Sequence, residues 1–181
     1  KKLTNIREIA DKCEKFIHEN PSGIDVNQVL SDTPLLFSKK DGAIPLDFNL
    51  DSYLLIIDTG IVGITKETLK HIKQNFENYK SYIDELGEIT EKVIEPLKKK
   101  AIEVVGEYMY KAHYLLQKLG VSHESNDDVV NICKNNGALG AKLTGGGAGG
   151  CCIALSKTKE NAEKIQNELA KKGYKSWIVT V

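Results

Sequence analysis

The chain has 181 residues, 41% of them hydrophobic and 28% charged, which is typical of a soluble globular protein with a core of its own. Its 25 basic and 25 acidic side chains cancel, so it lacks the basic excess of nucleic-acid-binding and membrane-surface proteins. No apolar stretch approaches the roughly 20 residues that cross a bilayer, and polar residues stand where a signal peptide would need its apolar region. We therefore expect a cytoplasmic protein without a nucleic-acid or membrane partner.

The first predicted elements are a helix and a pair of strands. Apolar residues at helical spacing predict a helix over residues 3–18, which Pro21 must end. Residues 34–38 and 43–48 predict two strands around a turn at residues 39–42.

The middle of the chain is predicted to be mostly helical. Residues 53–57 form a continuous apolar run, which is typical of a buried strand. Thr65 occupies the position of an N-cap ahead of a helix. Residues 82–119 predict two long helices with a break near Pro96.

The last third alternates between strands and helices. A helix capped by Asn126 or Asp127 ends at Asn136 and Gly137. A strand, a glycine run, a strand, a helix and a strand follow at residues 141–144, 145–150, 151–155, 159–172 and 176–181. The whole predicts an α+β fold with an antiparallel sheet.

Cysteine and histidine patterns predict neither disulfides nor a metal site built on histidine. The cysteines show no CxxC spacing, so we expect reduced thiols. The histidines show no HxxxH or HExxH spacing. These residues are Cys13, Cys133, Cys151 and Cys152, and His18, His71, His113 and His123.

Three segments carry groups suited to chemistry. In the first, Glu14 and Asp25 flank a Pro-Ser-Gly turn, and such a pair could divide Mg²⁺ binding and proton acceptance between them. The alternative is a plain loop with Asp25 as an N-cap and Glu14 in solvent. In the second, the glycines at residues 145–150 could hold a phosphate with backbone N–H groups, or form only a flexible hairpin.

The third segment is Asp58-Thr59-Gly60 followed by Thr65-Lys66, which could bind a hydroxyl or a carboxylate or be a turn and a helix cap. The glycine run matches neither GxxxxGK[ST] nor GxGxxG followed by an acidic residue, so a P-loop and a Rossmann site are rejected.

Taken together, and in the family's order along the chain, the three segments resemble the mevalonate kinase family, which is part of the galactokinase, homoserine kinase, mevalonate kinase and phosphomevalonate kinase (GHMP) superfamily. Residues 14–25 are similar to the family segment in which an acidic residue precedes His-Gly-Asn-Pro-Ser-Gly-Ile/Val-Asp. Residues 136–151 are similar to the motif Gly-Ala-x-Gly-Ala-Lys-Leu-Thr-Gly with its small-residue run. The sequence departs from the family pattern at Glu19, Gly146 and Ala148.

The resemblance implies a GHMP kinase C-terminal domain, a ferredoxin-like antiparallel sheet with flanking helices, over residues 31–181. Residues 1–30 would end the N-terminal, ATP-binding domain. The family's motif Pro-x-x-x-Gly-Leu-Gly-Ser-Ser-Ala is not in the chain. We therefore expect a fragment of a longer enzyme that is inactive alone.

The resemblance also implies ATP-dependent phosphorylation of mevalonate to 5-phosphomevalonate in isoprenoid biosynthesis, with ATP and Mg²⁺ and often as a homodimer. Asp25 would be the catalytic base and Glu14 the Mg²⁺ ligand. The substrate would contact His18, Ser22, Gly23 and Thr65. The phosphate or substrate loop would comprise Lys142, Thr144, Gly145, Gly146, Gly147, Ala148 and Gly149. The alternatives are another GHMP kinase, for phosphomevalonate, galactose or homoserine, and a non-catalytic module for ligand binding or dimerisation.

Overall fold

The computed structural model describes residues 2–17, 22–63 and 65–181, which fall into two compact units. One unit covers Lys1–Phe48 and the other Asn49–Val181. The domain boundary expected after residue 30 stays a prediction.

The first unit contains two helices and a hairpin. Helix α1 spans Lys2–Ile17 and helix α2 spans Ile24–Val29, and the hairpin pairs β1 (Leu35–Ser38) with β2 (Gly42–Pro45). Gly42 has a φ of 75°, a conformation that glycine adopts without steric cost. The predicted first helix and strand pair are confirmed, whereas the short α2 was not predicted.

The second unit is built around a four-stranded antiparallel sheet in the order β4-β5-β3-β6. A strand, helices, two strands, a helix and a strand in this order form the ferredoxin-like arrangement, which confirms the predicted fold class. Within the described ranges, no helix is long and apolar enough to cross a membrane. The elements are β3 (Tyr53–Asp58), α3 (Thr65–Gln74), α4 (Phe76–Lys92), α5 (Ile94–Lys98), α6 (Ile102–Lys118), α7 (Glu124–Asn135), β4 (Gly140–Thr144), β5 (Cys151–Ser156), α8 (Lys159–Lys171) and β6 (Lys175–Thr180).

The core of this unit lies between one face of the sheet and the helices α7 and α8. Alternate residues of β3, Leu55 and Ile57, are fully buried, as expected for a strand with one face on a core. Apolar residues at helical spacing fill the other side, namely Val129 and Cys133 of α7 and Ala162, Ile165 and Leu169 of α8. This packing fixes the strand ends that carry the glycine run.

Helix α6 seals the free edge of β4. Three of its residues, spaced four and three apart, contact the strand or the residues just before it. Gly106 packs on the backbone of Leu139 and Gly140. The Tyr110 hydroxyl donates to Ala138 O at 3.0 Å, and His113 Nδ1 accepts from Leu143 N at 3.4 Å. An edge strand exposes unpaired backbone groups, and a covering helix prevents their pairing with another chain.

Two predictions about the helices are wrong in detail. The segment predicted as two helices contains α4, α5 and α6, and Pro96 lies inside the first turn of α5, where the N–H it lacks has no helical partner to lose. The N-cap of α7 is His123, whose Nδ1 accepts from Ser125 N at 3.1 Å. Asn126, one of the two predicted caps, instead accepts from His123 N at 3.1 Å and so closes a capping box.

Candidate functional site

The two candidate acidic residues, Glu14 and Asp25, lie in the first unit. Glu14, near the end of α1, is half-buried and lines a cavity of about 290 Å³. Asp11, Lys15, Gly23 and Val26 complete the lining. Two carboxylates and a lysine thus border one depression that Gly23 also lines.

The turn after the cavity leads directly into α2. Gly23 has a φ of 82° and occupies the N-cap position, and the Ser22 hydroxyl accepts a hydrogen bond from Ile24 N at 3.3 Å. Asp25 follows in the first turn of α2 and is exposed. Asp25 is therefore not the N-cap considered as an alternative, and its carboxylate is open to solvent at a helix N-terminus.

A polar bridge joins α2 to α1. Asn27 donates from its backbone N and from Nδ2 to Gly23 O, at 3.1 and 2.8 Å, and its Oδ1 accepts from Arg7 at 2.8 Å. These bonds hold the left-handed turn at Gly23 and with it the backbone on which Asp25 stands. His18, predicted to contact the substrate, lies outside the described residues.

The residues around Glu14 suit a hard divalent cation. Asp11 and Glu14 are three positions apart on one helix face and border the same cavity. Mg²⁺ is usually bound by one or two carboxylates together with substrate phosphates. Across the described ranges no group of three or more His, Cys, Asp or Glu residues is placed to hold a metal by itself.

The glycine run lies in the second unit and connects β4 to β5. Its backbone is left-handed at five positions, and this conformation is difficult for residues with a Cβ. They are Gly145 (φ 79°), Gly147 (74°), Ala148 (56°), Gly149 (114°) and Gly150 (67°). The run is therefore an irregular, tightly bent loop, which we call the glycine loop (residues 145–150).

The second half of the glycine loop uses its N–H groups internally. Ala148 N donates to Val121 O at 2.7 Å, Gly149 N to Asn126 Oδ1 at 3.0 Å and Gly150 N to Ile61 O at 2.7 Å. In the described part of the chain, no acceptor pairs with the N–H groups of Gly145, Gly146 and Gly147, of which Gly145 and Gly146 are exposed and Gly147 is buried. An anion would therefore be held by the first half of the loop.

Close packing explains why the loop needs glycine. A Cβ on Gly147 would overlap Val121 O, and a Cβ on Gly149 would lie 2.7 Å from Ile61 Cγ2. A Cβ on Gly63 would lie 2.5 Å from Gly147 O, so the segment after β3 also packs closely against the loop. The loop is a packed structure and not the flexible hairpin considered as an alternative.

Lys142 lies on β4, three residues before the glycine loop begins at Gly145. Its Nζ donates to Leu143 O at 2.6 Å, and burial lowers the pKa of this ammonium group, although Cys152 opposes the shift. Thr144, the last residue of β4, is half-buried. Both residues predicted before the loop therefore lie on the strand that leads into it.

The turn after β3 supports the loop. The Asp58 carboxylate accepts from Gly60 N at 2.8 Å, and the buried Thr59 hydroxyl donates to Gly150 O at 2.6 Å. The hydroxyl of Thr59 is thus committed to the loop and is not free for a ligand. Helix α3 begins at Thr65, whose side chain lies outside those described, so its predicted substrate contact stays a prediction.

Sequence reasoning missed a buried polar group beside the loop. His113 is 4% exposed, and its Nε2 lies 3.2 Å from Asp127 Oδ1 at an angle unsuited to a hydrogen bond, so Nε2 has no hydrogen-bond partner in the described ranges. Asp127 also accepts from the Ser122 hydroxyl. Burial lowers the pKa of His113, and Asp127 partly opposes this. His113 lies seven residues after Gly106 on the sealing face of α6, a spacing that could have indicated its burial.

The family model that matches the chain is described as GHMP kinases C terminal and covers residues 93–175. That range runs from α5 to the start of β6 and includes the whole glycine loop. It leaves out β3 and the first unit with Glu14 and Asp25.

Individual relatives extend the similarity toward the first unit. A mevalonate kinase of Aeropyrum pernix is 32% identical over 164 residues, which is 84% of this chain and 48% of the relative. A mevalonate kinase of Dictyostelium discoideum is 29% identical over 93% of this chain and 47% of its own length. The chain therefore spans about half the length of the curated relatives it matches.

A solved structure shares the fold. The crystal structure of L. major mevalonate kinase in complex with R-mevalonate superposes with a TM-score of 0.81 and 27% identity. It covers 90% of this chain, and this chain covers 54% of it.

Proposed function

We propose that the chain is the C-terminal part of a mevalonate kinase, because it carries a GHMP kinase C-terminal domain. The full-length enzyme is called the parent protein below. In this proposal it transfers the γ-phosphoryl group of ATP to the primary hydroxyl of mevalonate. The observation that carries the proposal is the similarity to mevalonate kinases over 84% and 93% of the chain, which reaches beyond the family model. The Pro-Ser-Gly-Ile-Asp turn adds support, since it resembles the segment of this kinase family.

In the proposed reaction Asp25 is the catalytic base. Its carboxylate is exposed on the first turn of α2, on a backbone held by Gly23 and Asn27. It would orient the substrate hydroxyl and accept its proton as the oxygen bonds to phosphorus and the bond from phosphorus to the ADP oxygen breaks. An accessible carboxylate on a backbone held by hydrogen bonds is suited to this role.

Glu14, with Asp11 beside it, would hold Mg²⁺. When bound, this ion neutralises charge on the nucleotide phosphates. The half-buried position of Glu14 on the rim of the cavity supports the assignment, because it limits the motion of the carboxylate. The ammonium of Lys15 on the same rim would add positive charge.

The first half of the glycine loop would support the phosphate or the substrate. Gly145 and Gly146 have N–H groups free of acceptors among the described residues, and such amides stabilise negative charge without reorganising. Lys142 and Thr144 lie on β4, which leads into this stretch. Within the loop as predicted, we therefore assign Gly147, Ala148 and Gly149 to shaping the loop and Gly145 and Gly146 to the ligand.

The remaining assignments rest on the resemblance. Contacts of mevalonate with His18, Ser22, Gly23 and Thr65, a cytoplasmic location and a homodimer stay predictions.

A substrate panel tests the proposal. ADP release by the parent protein would be measured with mevalonate, phosphomevalonate, galactose and homoserine, each with ATP and Mg²⁺. We expect turnover that depends on mevalonate. Turnover only with another member of the panel would reassign the substrate within the GHMP kinases, and ADP release with none of the four would contradict a kinase of this class.

A further inference from the structure

Asn126 is a buried side chain next to the glycine loop, and both polar atoms of its amide form hydrogen bonds. It is 0% exposed. Its Oδ1 accepts from Gly149 N at 3.0 Å and from His123 N at 3.1 Å, and its Nδ2 donates to Gly149 O at 2.9 Å and to Cys152 Sγ at 3.4 Å. One side-chain amide therefore bonds both the N–H and the C=O of Gly149, and the capping box of α7 holds this amide in place.

The neighbouring residues hold the loop from the same side. Val121 O accepts from Ala148 N at 2.7 Å, and a Cβ on Gly147 would overlap Val121 O. At the entry of the loop, His113 contacts both Leu143 N and the carboxylate of Asp127, the residue after Asn126. The start of α7 thus contacts the exit of the glycine loop directly and its entry through His113.

We infer that Asn126 is a positioning residue that sets the direction of the Gly145 and Gly146 amides for phosphoryl transfer. The inference rests on the proposed function, because it assigns a catalytic consequence to the shape of the loop. The physical reason is that the left-handed residues 147–150 allow other backbone paths, and the two bonds to Gly149 select one of them. Asn126 would act without touching ATP or mevalonate.

Asn161, in the first turn of α8, offers a matched control. Its partner Asn136 lies at the opposite end of α7 from Asn126. Asn161 is also a packed amide with both polar atoms bonded: Nδ2 donates to Asn136 O at 2.9 Å, and Oδ1 accepts from the Ser156 hydroxyl at 2.8 Å. The substitutions Asn126→Asp and Asn161→Asp each replace the side-chain NH₂ group, with its two N–H donors, by an oxygen at nearly constant volume. They place the same chemical change near the loop or far from it.

The test compares wild type, Asn126→Asp and Asn161→Asp in the parent protein, with kcat normalised to the folded fraction. We expect Asn126→Asp to lower kcat about 10- to 100-fold, as misplaced positioning groups do, and to leave KM for mevalonate within about threefold. Asn161→Asp should leave kcat within about twofold of wild type, even with a comparable loss of thermal stability. Hydrogen exchange at Gly149 and Ala148 should accelerate in Asn126→Asp alone.

Two results would overturn the inference while the proposed function stands: an unchanged kcat in Asn126→Asp, or an equal loss of kcat in both variants of an active wild type. If Asn126→Asp does not fold, Asn126→Ser, which keeps a short oxygen for the capping box, is held to the same expectations. A wild type without mevalonate-dependent ADP release would contradict the proposed function, and the inference with it, before any variant is compared.

Discussion

Gly106 of α6 and Gly140 of β4 pack backbone against backbone. A Cβ on Gly106 would overlap the carbonyl of Leu139 and lie 3.0 Å from Gly140 N, and a Cβ on Gly140 would overlap the backbone of Gly106. Only paired glycines allow the helix to lie this close to the strand edge. The contact brings Tyr110 and His113 within reach of the same strand and so fixes the entry to the glycine loop.

Gly106→Ala should therefore destabilise the chain. We expect a loss of about 1–3 kcal/mol in the free energy of unfolding, because α6 must move away from β4. Gly87→Ala is the control: Gly87 is exposed within α4 with open space around it, and alanine there should stabilise by about 0.5–1 kcal/mol. Urea unfolding followed by circular dichroism measures both. A neutral Gly106→Ala would contradict the close approach.

Much of the fold could be predicted from the periodicity of apolar residues. The continuous apolar run predicted β3 and the helical stripe predicted α8, because each pattern is a property of a single element. The division of residues 76–118 into three helices could not be predicted, because Pro96 is compatible with a helix's first turn and the breaks lie elsewhere. The cap at His123 was missed because histidine is an uncommon N-cap.

His113 should make stability depend on pH. Its pKa lies below the ordinary value of 6.5 because of burial, with Asp127 opposing the shift and Lys142 adding to it. Just below pH 6.5 the unfolded chain therefore binds more protons than the folded chain. The contribution of His113 to the free energy of unfolding is complete above pH 6.5 and is lost as the pH falls through the folded-state pKa.

Urea unfolding at about pH 8 and about pH 5 measures this dependence. His113→Gln should reduce the loss of stability on acidification relative to wild type, and His71→Gln, at an exposed position, should not. Equal acid sensitivity of wild type and His113→Gln would show that other groups account for it.

The thiols should differ sharply in reactivity. Cys13 is exposed, whereas Cys133 and Cys152 are fully buried, and burial raises their pKa to about 12 and about 11. Because the thiolate is the nucleophile, a thiol reagent at about pH 8 should label Cys13 rapidly and the two buried cysteines only after unfolding. Peptide mass mapping identifies the labelled residue. Rapid labelling of Cys152 in the folded chain would contradict the packing beneath the loop.

The candidate site could be predicted only in part. Residue types and order indicated Glu14, Asp25 and the glycine loop, since these groups have recognisable chemistry. The internal bonds of Ala148, Gly149 and Gly150 could not be predicted, because their partners are far away in sequence and include backbone oxygens. The role of Asn126 was obscured for the same reason: a polar residue at a helix start suggests a cap whatever its side chain contacts.

The 181-residue chain by itself should release ADP no faster than background. The family motif that binds the nucleotide phosphates is not in the chain, and phosphoryl transfer depends mainly on positioning and charge stabilisation. A coupled ADP-release assay on protein of confirmed intact mass checks this. Rapid mevalonate-dependent turnover would mean that the ATP site is complete within these residues.

The most direct test of the account is the effect of Asp25→Asn on mevalonate-dependent ADP release by the parent protein, with Asp32→Asn, an exposed acid in the same unit, as the control. We predict that Asp25→Asn lowers kcat about 100-fold or more while KM for mevalonate changes little, as expected for loss of a general base. Asp32→Asn should behave as wild type. Wild-type kcat in Asp25→Asn would contradict the assigned role and favour a non-catalytic module.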